Sequence, residues 1–185
     1  MRVIAGTARS MPLRTVKGMD IRPTTDRTKE TLFNILMPRI PNCRFLDLFA
    51  GSGSIGIEAL SRGASEAVFV ENTRAHQALI LENLEFTKLA DRARIEKGDV
   101  NTVLSRLEGG EPFDIIFMDP PFNHGLEKSA LELLSHLHLL AEDGVIVVES
   151  SPKTDFSYLS EYGYRKIKER KYSMSQHIFL VRDNV

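Results

Sequence analysis

A chain of 185 residues with 42% hydrophobic and 26% charged residues is long enough for one domain with a full core. No apolar run approaches the roughly 18 residues that span a bilayer, so we expect no membrane association. The single cysteine, Cys43, excludes an intramolecular disulfide and indicates a reducing, cytoplasmic environment. Because there is no cysteine cluster, and because His136 and His138 would point to different sides of a helix, we predict no metal site.

The net charge of −1 is the sum of two oppositely charged parts. Residues 1–44 contain nine Lys and Arg against three acids, so the rest of the chain is acidic. A basic segment on an acidic body indicates a nucleic-acid partner, although a solvated basic face would have the same composition. We predict a basic N-terminal arm and helix over residues 1–40, which does not fold independently, and one main domain over residues 41–185.

The N-terminal segment predicts an extended arm followed by a helix. Residues 3–17 alternate loosely between apolar and polar side chains and are interrupted by Gly6 and Pro12, which favours a hairpin or an extended arm. Thr24 or Thr25 can cap the helix that follows. The basic residues predicted to contact nucleic-acid phosphates are Arg9, Arg14, Arg22, Arg27 and Lys29.

Residues 44–56, with the sequence RFLDLFAGSGSIG, predict a ligand-binding element. An apolar run typical of a buried parallel strand leads into three closely spaced glycines, Gly51, Gly53 and Gly56, and a helical pattern follows. Glycine lets the backbone approach a ligand closely, and the free N–H groups of the helix face that ligand. The sequence therefore predicts a strand, a loop and a helix that bind a nucleotide-like molecule.

Two acidic residues near this loop narrow the class of ligand. Glu71 follows Gly51 by twenty residues and ends the apolar run 67–70, where a second parallel strand places a carboxylate on a ribose. Asp47 lies inside the first strand, and a carboxylate there suits a ligand with an ammonium group better than one with a pyrophosphate. A buried, hydrogen-bonded structural aspartate is the alternative interpretation of Asp47.

Helices and strands alternate through the rest of the chain. We predict helices near 73–89, 100–107 and 126–140, strands near 93–96, 113–118 and 144–149, and a closing hairpin over 164–171 and 176–181. This order predicts a doubly wound, Rossmann-like α/β fold with a mostly parallel sheet. Ligands of such sheets bind at the carboxyl ends of the strands, so one edge should carry Asp47, Gly51, Glu71, Asp99 and Asp119.

Asp99 and the sequence Asp119-Pro120-Pro121-Phe122 each follow a predicted strand. Asp99 could accept the amine of adenine, cap the helix that begins at Val100, or do both. Proline fixes φ and has no N–H, so the Pro120 carbonyl keeps one direction beside the Asp119 carboxylate. Two such acceptors suit an amine on an aromatic ring, on which Phe122 can stack. A rigid turn without chemistry is the alternative.

These motifs resemble one family of enzymes. The stretches DLFAGSGSIGIEALSRGA, FVEN and DPPF resemble class I methyltransferases that use S-adenosylmethionine to modify exocyclic amines, and RPTTDRTKETLFNIL is similar to the RsmD family. The resemblance covers residues 3–149. It implies that Asp119 and Pro120 hold the target amine. The cofactor-binding set is then Asp47, Phe49, Gly51, Ser52, Gly53, Glu71, Asn72, Asp99 and Val100, with Asp47 and the glycine loop on the methionine moiety, Glu71 on the ribose and Asp99 on the adenine.

The resemblance also implies a substrate, because the RsmD family methylates N2 of a guanine in 16S rRNA. The implied partner is that rRNA, free or in an assembly particle of the small subunit, and we expect direct transfer by a monomer without a covalent enzyme intermediate. The alternatives are methylation of adenine N6 or of a protein glutamine, a non-catalytic RNA-binding module, and a nicotinamide-dependent oxidoreductase. Two positions depart from the family, which has glycine in place of Ser10 and of Ser173.

Overall fold

The computed structural model describes residues 1–15 and 25–183, and within them a seven-stranded sheet has the strand order β3-β2-β1-β4-β5-β7-β6. The strands are β1 (Arg44–Leu48), β2 (Glu66–Glu71), β3 (Ala93–Lys97), β4 (Phe113–Met118), β5 (Leu140–Ser150), β6 (Tyr164–Lys171) and β7 (Gln176–Arg182). Strands β1 to β5 pair in parallel, and β7 runs antiparallel to both β5 and β6. The predicted doubly wound sheet with a C-terminal hairpin is confirmed.

Helices cover both faces of this sheet. They are α1 (Asp26–Leu36), α2 (Ser54–Ser61), α3 (Arg74–Thr87), α4 (Val100–Leu107) and α5 (Leu126–His136). Helices α1, α2 and α3 pack with Phe45 and Phe69 on one face, whereas α4 and α5 pack with Leu46 and Val68 on the other. Successive strand residues point to opposite faces, so each central strand contributes to both cores. No helix in the described ranges is long and apolar enough to cross a membrane.

One pair of boundaries differs from the prediction. Helix α5 ends at His136 rather than near residue 140, and β5 begins at Leu140 rather than near residue 144. Leu139 and Leu140 are buried, and Leu140 pairs with Phe113 of β4 ahead of a register shift in the ladder. The apolar pair that extended the helical pattern therefore joins the sheet, because the sheet offers it a buried position.

Residues 1–15 fold back against the face covered by α1, α2 and α3. Arg2 and Pro12 form an antiparallel bridge, and the Val3 N–H donates to the Met11 carbonyl over 3.0 Å. The buried apolar residues of this arm are Val3, Ala8 and Leu13, which lie in the same core as Phe45. Ser10 has a φ of +68°, a left-handed conformation that costs glycine least, and it stands where the related family has glycine.

Glu58 of α2 anchors the arm to the rest of the protein. Its side chain is fully buried, and its two carboxylate oxygens accept the N–H groups of Ile4 at 2.8 Å and Ala5 at 3.0 Å. Arg62 places its Nε 2.8 Å from one oxygen, and the Lys29 ammonium lies 3.4 Å from the other. The buried carboxylate is thus neutralised by two cations and bonded to the arm backbone, which makes it a junction of three segments.

The prediction that Lys29 contacts nucleic acid is wrong. Its side chain has no exposed surface, and its Nζ donates to the Arg2 carbonyl over 2.6 Å in addition to its ion pair with Glu58. Burial lowers the pKa of Lys29, although the neighbouring Glu58 carboxylate acts in the opposite direction. The helical spacing did place Lys29 beside the apolar face of α1, but the side chain extends into the core instead of out to solvent.

Replacing Lys29 by Met should lower the free energy of unfolding by about 3 kcal/mol, because Glu58 then keeps a buried negative charge with only one of its cations. Denaturant-induced unfolding measures the change. Lys153→Met is the matched control, since Lys153 is exposed and should change stability by less than about 0.5 kcal/mol. Equal effects of the two substitutions would contradict the role of Glu58 as an anchor.

Candidate active site

The chain turns tightly directly after β1. Phe49, Gly51 and Gly53 all have positive φ, at +61°, +55° and +76° respectively, and α2 begins at Ser54 without a side-chain cap. A left-handed conformation is costly for phenylalanine, and such strain is concentrated at binding sites. The exposed N–H groups at the start of α2 and the glycines before it form the surface predicted to hold the ligand.

Asp47 provides the missing cap of α2 from the strand below it. Its Oδ2 accepts the Gly56 N–H over 2.9 Å, and the residue is only 2% exposed. Burial raises the pKa of Asp47 to about 8, and the Glu71 carboxylate adds to this increase. Asp47 thus has the structural role that the alternative interpretation predicted. In addition, a cation bound beside its carboxyl group would favour the ionised form.

Gly56 is required by the packing of α2 on β2. A Cβ at this position would lie 2.3 Å from Cε1 of the Phe69 ring. The absence of a side chain lets the first turn of α2 come close to the sheet, and this approach brings the Gly56 N–H within reach of Asp47. The third glycine of the motif therefore serves helix packing rather than ligand contact.

Glu71 ties the glycine loop to the end of β2. Its Oε2 accepts the Gly51 N–H over 2.9 Å, and its Oε1 accepts the Thr73 N–H over 2.8 Å. His76 lies behind it with Nδ1 3.5 Å from Oε1, and the buried Nε2 of His76 has no hydrogen-bond partner in the described residues. Each carboxylate oxygen accepts more than one hydrogen bond, so Glu71 retains capacity for a ribose hydroxyl.

Asn83 was not predicted and connects the loop to the arm. Its Nδ2 donates to the Ser52 carbonyl over 3.0 Å and to the Arg14 carbonyl over 3.1 Å, and its Oδ1 accepts the Arg14 N–H over 2.9 Å. The Sδ of Met1 lies 3.8 Å from the Ser52 hydroxyl. The sequence shows only an asparagine within a predicted helix, and its burial is seen only in the structure. The arm therefore contacts the predicted cofactor loop directly.

Asp99 follows β3 and caps α4. Its Oδ1 accepts the N–H groups of Asn101 at 3.0 Å and Thr102 at 3.4 Å, as the alternative interpretation predicted. Val100 is buried beside it, whereas Asn72 is exposed at the end of β2 and accepts a hydrogen bond from the Thr73 hydroxyl. Contacts of Asp99, Val100 and Asn72 with a ligand stay predictions.

Asp119 and Pro120 follow directly after β4, at the edge where β1 and β2 also end. Asp119 keeps some contact with solvent, but its carboxyl group lies in buried surroundings. That burial raises the pKa of Asp119 well above its usual range, and the carboxylates of Glu149 and Asp47 raise it further. Pro120 is buried and Phe122 is half-buried at the same turn. The structure thus brings Asp47 and Asp119 into electrostatic contact.

The predicted nucleic-acid contacts are distributed over the arm and α1. Arg9 and Arg27 are exposed and line a cleft of about 280 Å³ together with Arg2. Arg14 is exposed and forms an ion pair with Glu82 at 2.8 Å. Arg22 lies outside the described residues. Within the part of the chain that is described, no group of three His, Cys, Asp or Glu side chains could hold a metal ion.

Comparison with known proteins identifies the family. A family model described as conserved hypothetical protein 95 matches residues 1–181. The Escherichia coli ribosomal RNA small subunit methyltransferase D is 41% identical over 150 residues, which cover 81% of this chain and 74% of that protein. The enzyme of that name from Haemophilus influenzae is 36% identical over 171 residues, covering 92% and 88%. The chain belongs to this family.

The RsmD-family assignment agrees with the resemblance found in the motifs, which is confirmed. The solved structure of the Escherichia coli protein yhhF superimposes with a TM-score of 0.85 at 36% identity, and the match covers 99% of this chain and 98% of that one. This agreement extends over the arm as well as the sheet. The match therefore includes the N-terminal residues that contact the glycine loop.

Asp47→Asn should stabilise the ligand-free protein, and increasingly so as pH rises. The unfolded pKa of aspartate is about 4, whereas burial raises the folded pKa of Asp47 to about 8. The folded state therefore binds the extra proton between these values, and stability falls as pH rises through that window. Asparagine keeps an oxygen for the Gly56 N–H but does not titrate.

Denaturant unfolding at about pH 5 and about pH 8 tests this prediction. The advantage of Asp47→Asn over the native protein should grow by up to about 1.4 kcal/mol per pH unit. Asp143→Asn changes an exposed aspartate in the same way and should show no such trend. An advantage of Asp47→Asn that is the same at both pH values would disprove the titration of Asp47 in this window.

Proposed function

We propose that this protein transfers the methyl group of S-adenosylmethionine to the exocyclic N2 amine of a guanine in 16S rRNA. The observation that carries the proposal is the meeting of Asp47 and Asp119 at one edge of the sheet. Asp47 lies beside the glycine loop, and Asp119 belongs to the rigid turn that suits an aromatic amine. The names of the relatives support rRNA of the small subunit as the substrate.

The residues around the loop fit the proposed cofactor. The charges that act on the buried Asp47 carboxylate are negative, so a ligand ammonium would relieve both its burial and the repulsion from Glu71. Glu71 accepts two backbone N–H groups and keeps lone pairs for a ribose diol. S-adenosylmethionine supplies an electrophilic methyl group when it is bound. The glycine loop, Asp47 and Glu71 would hold it, and Asp99 and Val100 would contact its adenine.

Asp119 and Pro120 would bind the two protons of the target amine. An amine on an aromatic ring is a poor nucleophile, because its lone pair is delocalised into the ring. Two acceptors favour a pyramidal nitrogen and direct its lone pair towards the donor, while Phe122 stacks on the base. Positioning of this kind can supply about 7–11 kcal/mol of the barrier reduction. A base within a helix must first be unstacked or presented unpaired.

The experiment that tests the proposal uses small ribosomal subunits from cells that lack the gene. Incubation with the protein and a labelled cofactor should methylate one guanine at N2, and mass spectrometry of the rRNA locates it. If the label is found in an adenine or in a protein glutamine, that group is the target in place of guanine. Absence of any transfer to rRNA, free or assembled, would overturn the proposal.

Asp119→Ala should reduce methyl transfer below detection while the affinity for S-adenosylhomocysteine stays within about threefold, because the residue is proposed to hold the amine and not the cofactor. Single-turnover transfer and calorimetric titration measure the two quantities. Asp143→Ala, at an exposed position near the start of β5, is the matched control and should leave both quantities unchanged. A parallel loss of transfer and cofactor affinity in Asp119→Ala would show that the residue is structural.

Charge reversal on the arm and on α1 should weaken RNA binding and reduce its dependence on salt. Each phosphate contact that is lost lowers the slope of log K against log salt concentration by about 0.7–0.9. The variants are Arg9→Glu and Arg27→Glu, whose side chains are exposed at the cleft, with Lys153→Glu as an exposed control of equal charge change. Binding isotherms at several salt concentrations measure the slopes. Slopes equal to that of Lys153→Glu would remove the arm from the RNA interface.

A further inference from the structure

A row of polar side chains continues from Asp119 across the antiparallel part of the sheet. Met118 pairs with Val148 in the parallel ladder of β4 and β5, so Asp119 and Glu149 are the next residues on these neighbouring strands. Glu149 in turn is directly opposite His177 in the antiparallel ladder of β5 and β7. None of the motifs in the sequence pointed to this row, because its members come from three strands.

Glu149 is held in place by hydrogen bonds rather than left free at the edge. Its Oε2 lies 3.0 Å from Nε2 of His177, and Nδ1 of His177 lies 3.3 Å from the Tyr172 hydroxyl. His177 is fully buried, Glu149 is 7% exposed, and the His177 ring packs edge-on against Phe117. The imidazole therefore has one orientation, and it fixes the position of the Glu149 carboxylate.

The Glu149 carboxylate determines the direction of these hydrogen bonds, because its oxygens can only accept. Burial raises the pKa of Tyr172, and the Glu149 carboxylate raises it further, so the hydroxyl stays protonated and can donate to Nδ1. Nε2 of His177 therefore donates to Glu149, and Nδ1 accepts from the Tyr172 hydroxyl. Tyr172 thus supports the tautomer of His177 that holds Glu149 in place.

The charges that act on Asp119 come from the two strands on either side of β4. Asp47 on β1 and Glu149 on β5 both act on its carboxyl group, and His177 on β7 together with Tyr172 after β6 faces Glu149. Glu149 is thus a fixed negative charge beside the proposed amine acceptor. A negative neighbour makes a carboxylate a stronger base, as in other sites where two carboxylates share one region.

We propose that Glu149, held by His177 and Tyr172, is a positioning residue that makes Asp119 the acceptor of the proton released during methyl transfer. This inference rests on the proposed function. The amine nitrogen forms a bond to the methyl carbon, the bond from that carbon to sulfur breaks with its electron pair going to sulfur, and one N–H proton passes to the Asp119 carboxylate. Glu149 touches neither the amine nor the cofactor in this scheme and acts only through Asp119.

The proposal predicts a pH signature that a merely structural residue would not produce. Transfer should increase with pH as Asp119 ionises. Glu149→Gln removes the negative charge and keeps an acceptor for the Nε2 proton, so Asp119 should ionise at lower pH but become a weaker base. The midpoint of the rise should move down by about one pH unit, and the plateau should fall by about 3–10-fold.

Single-turnover transfer between about pH 5 and pH 9 measures both quantities. Glu149→Asp keeps the charge and should leave the midpoint within about 0.3 unit of the native value. Tyr172→Phe removes the donor to Nδ1, so His177 can also carry its proton on Nδ1 and then no longer donates to Glu149, which is held less firmly beside Asp119. The midpoint should shift in the same direction as for Glu149→Gln, by a smaller amount.

Tyr164→Phe is the matched control for Tyr172→Phe. Tyr164 begins β6, and its buried hydroxyl has no hydrogen-bond partner among the residues described, so its removal should leave the profile unchanged. A normal midpoint in both Glu149→Gln and Tyr172→Phe, whatever their rates, would overturn the proposal. If Glu149→Gln does not fold, the Tyr172→Phe midpoint decides. An active Asp119→Ala would also overturn it, whereas a native enzyme without transfer to rRNA would instead refute the proposed function.

Discussion

Repulsion between buried carboxylates is the constraint on which the candidate site depends. Asp47, Asp119 and Glu149 come from neighbouring strands of a parallel sheet, and such strands necessarily bring their ends to one edge. Burial raises the pKa of Asp47 and of Asp119, and nearby carboxylates raise both further (Glu71 for Asp47, Glu149 and Asp47 for Asp119), so the site holds its negative charge at a cost. A ligand with a positive charge lowers that cost, and this preference distinguishes the site from those that bind a pyrophosphate.

The buried charge of Glu58 on α2 is compensated in a different way. Glu58 is also a buried carboxylate, but Lys29 and Arg62 neutralise it and the arm backbone supplies two hydrogen bonds. One buried acid is therefore fully compensated inside the protein and stabilises the arm, whereas those at the sheet edge are left for a ligand to compensate. Asn83 joins the two regions, because it bonds both the arm and the glycine loop.

The sequence predicted what local patterns determine. The apolar run before the glycines, the position of Glu71 and the turn after β4 each follow from spacing, and the strands they imply are present. What depends on distant partners was not predictable. From the sequence alone Lys29 is expected at the surface, because its ion pair with Glu58 is not visible there. The pairing of Glu149 with His177 can be predicted only when the order of β5 and β7 in the sheet is known. The predicted end of α5 was wrong for the same reason, since Leu140 fits a helical pattern and a strand pattern equally well.

The contact between Gly56 and Phe69 has a consequence for how the family can vary. Any side chain at position 56 would overlap the ring, which lies 2.3 Å from the site of a Cβ. The two positions belong to different elements, yet position 56 cannot gain a side chain unless the residue at position 69 becomes smaller or moves. Substitutions at positions 56 and 69 should accordingly covary within the family. Replacement of the glycine alone would push α2 away from the sheet and move the N–H of residue 56 away from Asp47.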